Sequence, residues 1–307
     1  MGRVTRVAIA FVVAGIVASA CGGTGSGGTA SPAAKPTVRI GSTDFSEQLI
    51  LGELYAQILE ANGYTVDRKF NLGKREIVFP ALTSGQIDME ADYLATLLAF
   101  VDKSATGSTD PKETSKKLQD ALRSKDVTVL DYAPAVDQNG FVVTKATADK
   151  YKLAKISDLA PVAKDLVLGG PPECPNRPFC ALGLKNTYGI TFKDFKPLDT
   201  GGALTVKALE GNQIDVALLF TSDSTIAVKG FVLLDDDKHL QLSDNVAPVV
   251  RNDLLAKGGD DFKKLINSIA PKLTTAELTA LNKQAGIDKK DPKDIAKDWL
   301  KKQGLIK

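Results

Sequence analysis

A faint internal repeat is the feature of this chain that most constrains its fold. Residues 38–42 read Val-Arg-Ile-Gly-Ser, and residues 166–170 read Leu-Val-Leu-Gly-Gly. Further along, residues 81–88 read Ala-Leu-Thr-Ser-Gly-Gln-Ile-Asp, and residues 208–215 read Ala-Leu-Glu-Gly-Asn-Gln-Ile-Asp. The second tracts have the pattern of a helix end, a Gly/Asn turn and a strand. Because order and spacing agree, we expect two similar α/β lobes; the alternative is that both tracts are ordinary helix–turn–strand sequence.

An aromatic ring stands at the same place in each copy. Tyr93 follows the first copy of the second tract, and Phe220 follows the other copy at the same spacing. Small ligands bind at interfaces between domains and at the carboxyl ends of strands. We therefore predict that both rings line a ligand cleft between the lobes, the alternative being that they are core residues at strand ends.

The start of the chain has the features of an export signal. Arg3 and Arg6 precede an apolar stretch that is too short for a stable membrane span, and small residues lead up to Cys21. This pattern resembles a bacterial lipobox, which predicts a signal peptide over residues 1–20 and a lipid on Cys21. Residues 21–37 are rich in Gly, Ser, Thr, Ala and Pro and are predicted to form a flexible tether. The alternative is an ordinary secretory signal with an incidental cysteine.

Composition agrees with an exported globular protein. Without the leader, the numbers of basic and acidic residues are equal, so charge does not indicate a nucleic-acid partner. Cys174 and Cys180 lie close together in a proline-rich segment, and outside the cytoplasm such a pair is predicted to form a disulfide. His239 is the only histidine, which argues against a zinc site and against a cysteine–histidine catalytic pair. The sequence therefore predicts no metal site and no cofactor.

Strand-like and helical segments alternate along the chain, which predicts mixed α/β lobes with largely parallel sheets. Strands are predicted at residues 37–42, 64–70, 87–91, 127–131, 141–144, 165–168, 214–219, 231–234 and 247–250. Helices are predicted at residues 45–62, 75–84, 111–124, 181–188, 204–210, 261–269 and 274–284, and from Asp291 onward. The last two strands are expected to return toward the first lobe, and Trp299 is expected to pack rather than to bind ligand.

Several longer tracts resemble the substrate-binding proteins of osmoprotectant ABC importers, which bind glycine betaine, choline and carnitine. The tracts are IGSTDFSEQLILGELYAQILEANGY, FPALTSGQIDMEADYLATLL, GGPPE, FKPLDTGGALTVKALEGNQIDVALLFTSD and APVVRND. The resemblance covers residues 38–307 and implies a type II periplasmic-binding fold, with two lobes joined by a two-strand hinge. Residues 38–135 and 240–307 are predicted to form lobe one, and residues 136–239 lobe two. The resemblance also implies a monomer that works with an ABC permease and its ATPase.

The resemblance implies closure of the lobes around a trimethylammonium group, which has no N–H to donate and is held by aromatic faces through cation–π attraction. The tyrosine of the family motif PEYTGT matches Tyr93, and the tyrosine of AYSTD matches Phe220. A ring that the family often places before ALxxG falls on Val206, which has no π face. The family's cage residue on the first strand of lobe two falls near Gly140 or Phe141, of which only Phe141 has a ring. We therefore expect a cage with fewer rings, and either weaker betaine binding or a bulkier, less cationic ligand.

Polar residues of the family's site also have counterparts. The polar residue after the first strand falls on Thr43, with Asp44 beside it, and the threonine of PEYTGT matches Thr96. An acidic residue and an arginine four positions later match Glu173 and Arg177. Three of these residues have an alternative role. Asp44 and Thr96 could be helix caps, and Arg177 could form a surface ion pair with Glu173.

Three classes of function fit these features. The first is a solute-binding lipoprotein, anchored by its lipid to the outer face of the cell membrane, that feeds an importer. The second is an extracellular enzyme, which the single histidine and the absence of a G-x-S-x-G tract argue against. The third is a sensor or adhesin lipoprotein on the same scaffold. We expect the first, with no enzymatic activity.

Overall fold

The structure is a computed structural model that describes residues 35–307. The predicted signal peptide, the lipidation of Cys21 and most of the predicted tether lie outside the described residues. Within the described part, none of the helices combines the length and apolar character that a membrane span requires.

The described chain forms two five-stranded sheets. The strands of the first sheet are β1 (Val38–Gly41), β2 (Val66–Lys69), β3 (Met89–Tyr93), β4 (Val127–Val129) and β10 (Val246–Arg251). The strands of the second sheet are β5 (Asn139–Val143), β6 (Val167–Gly170), β7 (Asp194–Pro197), β8 (Val216–Phe220) and β9 (Val232–Leu233). Their orders are β2-β1-β3-β10-β4 and β7-β6-β8-β5-β9. We call the first sheet with its helices lobe one and the second sheet with its helices lobe two.

The two sheets have the same topology, as the internal repeat predicts. In each, three parallel strands are followed by an antiparallel strand, β10 in lobe one and β5 in lobe two. The aspartates that end the repeated tracts have equivalent roles. Asp88 Oδ2 accepts from the Arg39 amide and Asp215 Oδ2 from the Val167 amide, each at 2.8 Å. The predicted α/β fold of two similar mixed-sheet lobes is therefore confirmed.

Eleven α-helices surround these sheets in the described residues. They are α1 (Ser46–Ala61), α2 (Arg75–Thr83), α3 (Leu94–Val101), α4 (Pro111–Leu122), α5 (Lys145–Tyr151), α6 (Ala181–Gly183), α7 (Ala203–Glu210), α8 (Thr225–Val228), α9 (Asn252–Asn267), α10 (Thr275–Gly286) and α11 (Pro292–Lys302). Helices α3, α5 and α8 and strand β7 were not predicted from the sequence. Helix α3 begins at the residue after β3 with no side-chain cap, so no local signal marks its start. As predicted, Trp299 is a packing residue, because it is 3% exposed in the core of lobe one.

The chain crosses between the lobes twice, and the two crossing segments pair. Val136 and Asn245 form an antiparallel bridge, flanked by a hydrogen bond from the Val246 amide to the Ala135 carbonyl. The prediction that residues 231–234 return to lobe one is wrong, since β9 pairs with β5 at the edge of the second sheet. The return is made by β10, which lies between β3 and β4. The sequence pattern of residues 231–234 predicts a strand but does not specify the sheet edge at which that strand pairs.

Candidate functional site

A cavity of about 480 Å³ lies between the two lobes, where the loops after β1, β3, β6 and β8 meet. Seven of the eight predicted ligand-binding residues line it. They are Thr43, Asp44, Tyr93, Thr96, Glu173, Arg177 and Phe220. The repeat brings Tyr93 and Phe220 to this cavity because each is the last residue of its strand, β3 or β8.

The eighth predicted residue, Phe141, does not line the cavity. Its side chain is fully buried in the hydrophobic core of lobe two. Asn139 lies two positions earlier on the same face of β5 and does line the cavity. Two residues of strand advance the chain by about 7 Å, so Phe141 lies one step deeper in the lobe. The prediction of Phe141 as a cage residue is corrected accordingly.

Three aromatic rings form one wall of the cavity. Phe45 stacks on Phe220 with ring centroids 5.1 Å apart, and on Tyr93 with centroids 6.5 Å apart. Because the Phe45 and Phe220 rings are in contact, a cation has no room between them and can only meet an outer face of the wall. Val206, the position without a ring, packs against the core of lobe two and does not line the cavity.

Phe45 was not predicted as a site residue, because its sequence context indicates only the start of a helix. The residue is the N-cap position of α1, with an extended backbone and no side-chain cap. Its place directly beyond the carboxyl end of β1 was the available signal, because ligands bind at strand carboxyl ends. Phe45 supplies the third ring of this wall, and Phe100 and Phe179 also line the cavity.

A buried carboxylate holds the aromatic wall from behind. Tyr93 donates its hydroxyl to Glu47 Oε1 at 2.5 Å, and Ser222 of lobe two donates to Glu47 Oε2 at 2.8 Å. Asn282 on α10 also donates to Glu47 Oε2. Burial raises the pKa of Glu47 above its ordinary value, although these three hydrogen bonds oppose the shift. The network joins the two lobes beneath the rings.

A buried ion pair lies on the lobe-one side of the cavity. Arg75 on α2 donates through Nε to Asp92 Oδ2 at 2.9 Å and through Nη2 to Asp92 Oδ1 at 2.5 Å. The same Nη2 donates to Thr96 Oγ1 at 2.8 Å, and the Thr96 amide donates to Asp244 Oδ1 at 2.8 Å. Burial raises the pKa of the Asp244 carboxyl to about 7, against the opposing effects of the Thr96 amide and Arg75. Thr96 is thus tied to two charged neighbours.

Two ion pairs cross the cavity from lobe to lobe. Lys74 of lobe one pairs with Glu173 of lobe two, and Arg177 of lobe two pairs with Glu76 of lobe one at 2.8 Å. The alternative in which Arg177 neutralises Glu173 does not describe this structure, because each has its partner in the other lobe. These contacts tie α2 to the loop that follows β6.

That loop is closed by a disulfide between Cys174 and Cys180. The Phe179 carbonyl within it accepts hydrogen bonds from the side-chain amides Asn139 Nδ2 and Gln241 Nε2, each at 2.9 Å. The disulfide and these hydrogen bonds fix the segment after β6, from which Glu173 and Arg177 pair with lobe one. Among residues 35–307, no group of three His, Cys, Asp or Glu side chains is arranged to hold a metal ion.

Comparison with known proteins places this geometry in a family. A family model described as the substrate binding domain of ABC-type glycine betaine transport system matches residues 36–302. The chain belongs to this family. Its members are binding domains of transport systems, which act outside the cytoplasm together with an ABC transporter.

Named relatives span most of the chain. The carnitine transport binding protein OpuCC of Listeria monocytogenes is 27% identical over 303 residues, covering 97% of this chain and 96% of that protein. A protein of Helicobacter pylori named ergothioneine transport permease/ergothioneine binding protein EgtU is 27% identical and covers 88% of this chain, which spans 48% of it. A solved structure titled glycine betaine/carnitine/choline ABC transporter is 30% identical and covers 88% of this chain and 99% of its own, with a TM-score of 0.69.

Proposed function

We propose that this protein is a solute-binding lipoprotein of the cell surface that binds an osmoprotectant of the glycine betaine, choline and carnitine class. It delivers this ligand to an ABC permease and its ATPase. Membership of the transport family and the names of the relatives support the class of ligand. We further propose attachment to the membrane through a lipid on Cys21, based on the small residues before it and the tether after it.

The observation that carries the proposal is an aromatic wall in a cavity with an excess of acidic side chains. Three pairs of opposite charge on the cavity wall neutralise one another: Lys74–Glu173, Arg75–Asp92 and Glu76–Arg177. The other ionisable side chains of the wall are Asp44, Asp137, Asp244 and Lys103. Aromatic faces and surplus carboxyl groups together favour a cation that has no N–H groups to satisfy.

Calorimetry with matched ligands tests the proposal. The panel contains glycine betaine, choline, carnitine, ergothioneine and 3,3-dimethylbutan-1-ol, which is the uncharged carbon analogue of choline. We expect at least one quaternary ammonium ligand to bind, and choline to bind about tenfold or more tightly than its neutral analogue, because the analogue loses the cation–π and charge attraction.

Equal binding of choline and its carbon analogue would favour the alternative, in which the same scaffold takes a less cationic small molecule. Binding of none of these ligands would contradict the proposed ligand class and favour a different ligand or a sensor role.

A further inference from the structure

The floor of the cavity is formed by two buried carboxyl groups at the hinge. Asp137 lies on the segment that leaves lobe one, and Asp244 lies on the segment that returns to it. Their exposed fractions are 5% and 2%, and the Asp137 amide donates to the Asp244 carbonyl at 3.1 Å. Both side chains line the cavity. Neither residue was predicted as a site residue from the sequence.

In each of these carboxyl groups, Oδ1 accepts a hydrogen bond from a backbone amide, whereas Oδ2 has no such partner. Asp137 Oδ1 accepts from the Ser222 amide at 3.0 Å, and Asp244 Oδ1 accepts from the Thr96 amide at 2.8 Å. No hydrogen bond among the described residues ends on Oδ2 of either aspartate. The nearby Ser222 hydroxyl is engaged elsewhere, since it donates to Glu47. Neither Oδ2 atom therefore has a donor at hydrogen-bonding geometry, although the hydroxyls of Ser222 and Thr96 lie near enough to oppose the effect of burial on the pKa of each carboxyl.

A third side chain of the same cavity independently lacks a donor. Gln48, in the first turn of α1, is 2% exposed, and its Oε1 is buried without a hydrogen-bond partner. Gln48 lines the cavity together with the two aspartates. A buried acceptor with no donor, such as Gln48 Oε1, costs free energy. Water can donate to these oxygens in an open cleft, but a ligand that closes the cleft must supply the donor itself.

We propose that Asp137 and Asp244 form a subsite for a hydrogen-bond donor of the ligand, so that the protein selects quaternary ammonium compounds that also carry a hydroxyl or N–H group. This inference rests on the proposed function and specifies the ligand within that class. Trimethylammonium has no donor of its own, so the donor lies at the other end of the molecule. Choline and carnitine carry a hydroxyl and satisfy this requirement, whereas glycine betaine has no donor to offer these oxygens.

Matched pairs of ligands that differ only in the donor test the inference by calorimetry. Choline is compared with its methyl ether, and carnitine with γ-butyrobetaine, which has the same skeleton without the hydroxyl. A hydrogen bond to the ionised Asp244 carboxylate, which predominates above pH 7, is worth about tenfold to a hundredfold in affinity. We expect choline and carnitine to bind about tenfold or more tightly than their matched partners.

The variants Asp137→Asn and Asp244→Asn keep the shape of the side chain but present an N–H where the acceptor was. The oxygen of choline and that of its ether can both accept from this group, so we expect the preference for choline to fall to about twofold or less. Asp223→Asn is the matched control, because Asp223 is close enough to influence Glu47 by its charge but does not line the cavity. It should retain the wild-type preference.

Two results would overturn the inference while leaving the proposed function intact. In the first, wild type binds choline and its ether with the same affinity. In the second, the asparagine variants lower the affinities for choline and for its ether by the same factor, so that the ratio of the two affinities does not change. The aspartates would then act only by charge. If no quaternary ammonium ligand binds wild type, the proposed function fails and this inference fails with it. The wild-type comparison stands even if a variant does not fold.

Discussion

Tyr93 is held by a hydrogen bond from its hydroxyl to the buried Glu47 and still lines the cavity. We predict that Tyr93→Ala weakens quaternary ammonium binding by about 1–2 kcal/mol, which is roughly five- to thirtyfold in affinity, because a cation–π face is lost. Titration calorimetry measures the effect. Tyr151→Ala is the control, because Tyr151 is a partly buried tyrosine of lobe two outside the cavity. Wild-type affinity in Tyr93→Ala would show that the site has been assigned to the wrong place.

Asp244 predicts a pH dependence of stability. Burial raises the pKa of its carboxyl from 3.8 to about 7 in the folded protein, so folding favours the protonated form. Its contribution to stability is complete below the unfolded pKa and is lost as the pH rises through about 7. In Asp244→Asn the side chain stays neutral, so we expect this variant to gain stability relative to wild type between pH 4.5 and pH 7.5, by on the order of a few kcal/mol.

Urea unfolding of both proteins at the two pH values measures that difference. Burial also raises the pKa values of Asp137 and Glu90, and both respond to neighbouring charges. For that reason the variant is compared with wild type at each pH, instead of relying on the pH profile of one protein. If the stability difference between Asp244→Asn and wild type is the same at both pH values, the raised pKa of Asp244 is contradicted.

At the level of elements, the ion pairs between α2 and the disulfide loop hold the lobes together. We predict that Lys74→Glu weakens ligand binding by about 0.5–1 kcal/mol, or roughly two- to fivefold, because the new glutamate faces Glu173. The double variant Lys74→Glu/Glu173→Lys restores the attraction and should recover most of the affinity. Lys229→Glu, which breaks a pair with Glu210 within lobe two, is the control. Failure of the double variant to recover would indicate that the pair does not act across the cleft.

The whole molecule is expected to change shape when it binds ligand. The two lobes are connected by two paired segments, and the cavity lies between them, which is the arrangement that permits hinge closure. We predict that saturating ligand decreases the radius of gyration measured by small-angle X-ray scattering. Lys74→Glu should need more ligand to reach the same decrease. Identical scattering profiles with and without a ligand that calorimetry shows to be bound would exclude closure.

The attachment of the molecule to the membrane is predicted from its first residues. Cys21→Ser removes the sulfur that a lipid would occupy, so we expect this variant to appear in the soluble fraction or to retain its signal peptide. Fractionation of cells followed by mass determination of the protein measures both outcomes. Cys174→Ser is the control, since it alters a cysteine of the folded part. Normal processing with full membrane retention in Cys21→Ser would refute lipid anchoring.

The features that the sequence determined by itself are those written in local patterns. The repeated tracts predicted two similar lobes, because each tract encodes its own helix end, turn and strand. The spacing after each tract placed Tyr93 and Phe220 at equivalent strand ends, which the cavity brings together. Cys174 and Cys180 are close in sequence, so their pairing required no knowledge of the fold.

Only the tertiary structure decided which distant side chains share the cavity. Glu173 meets Lys74 across 99 positions of sequence, and no local pattern encodes that distance. Phe141 has the residue type of a cage ring, but its depth along β5 places it in the core. Asp137 and Asp244 become neighbours because the two hinge segments pair. Local sequence specifies an element and its buried face, whereas the composition of a site depends on where elements from different parts of the chain meet.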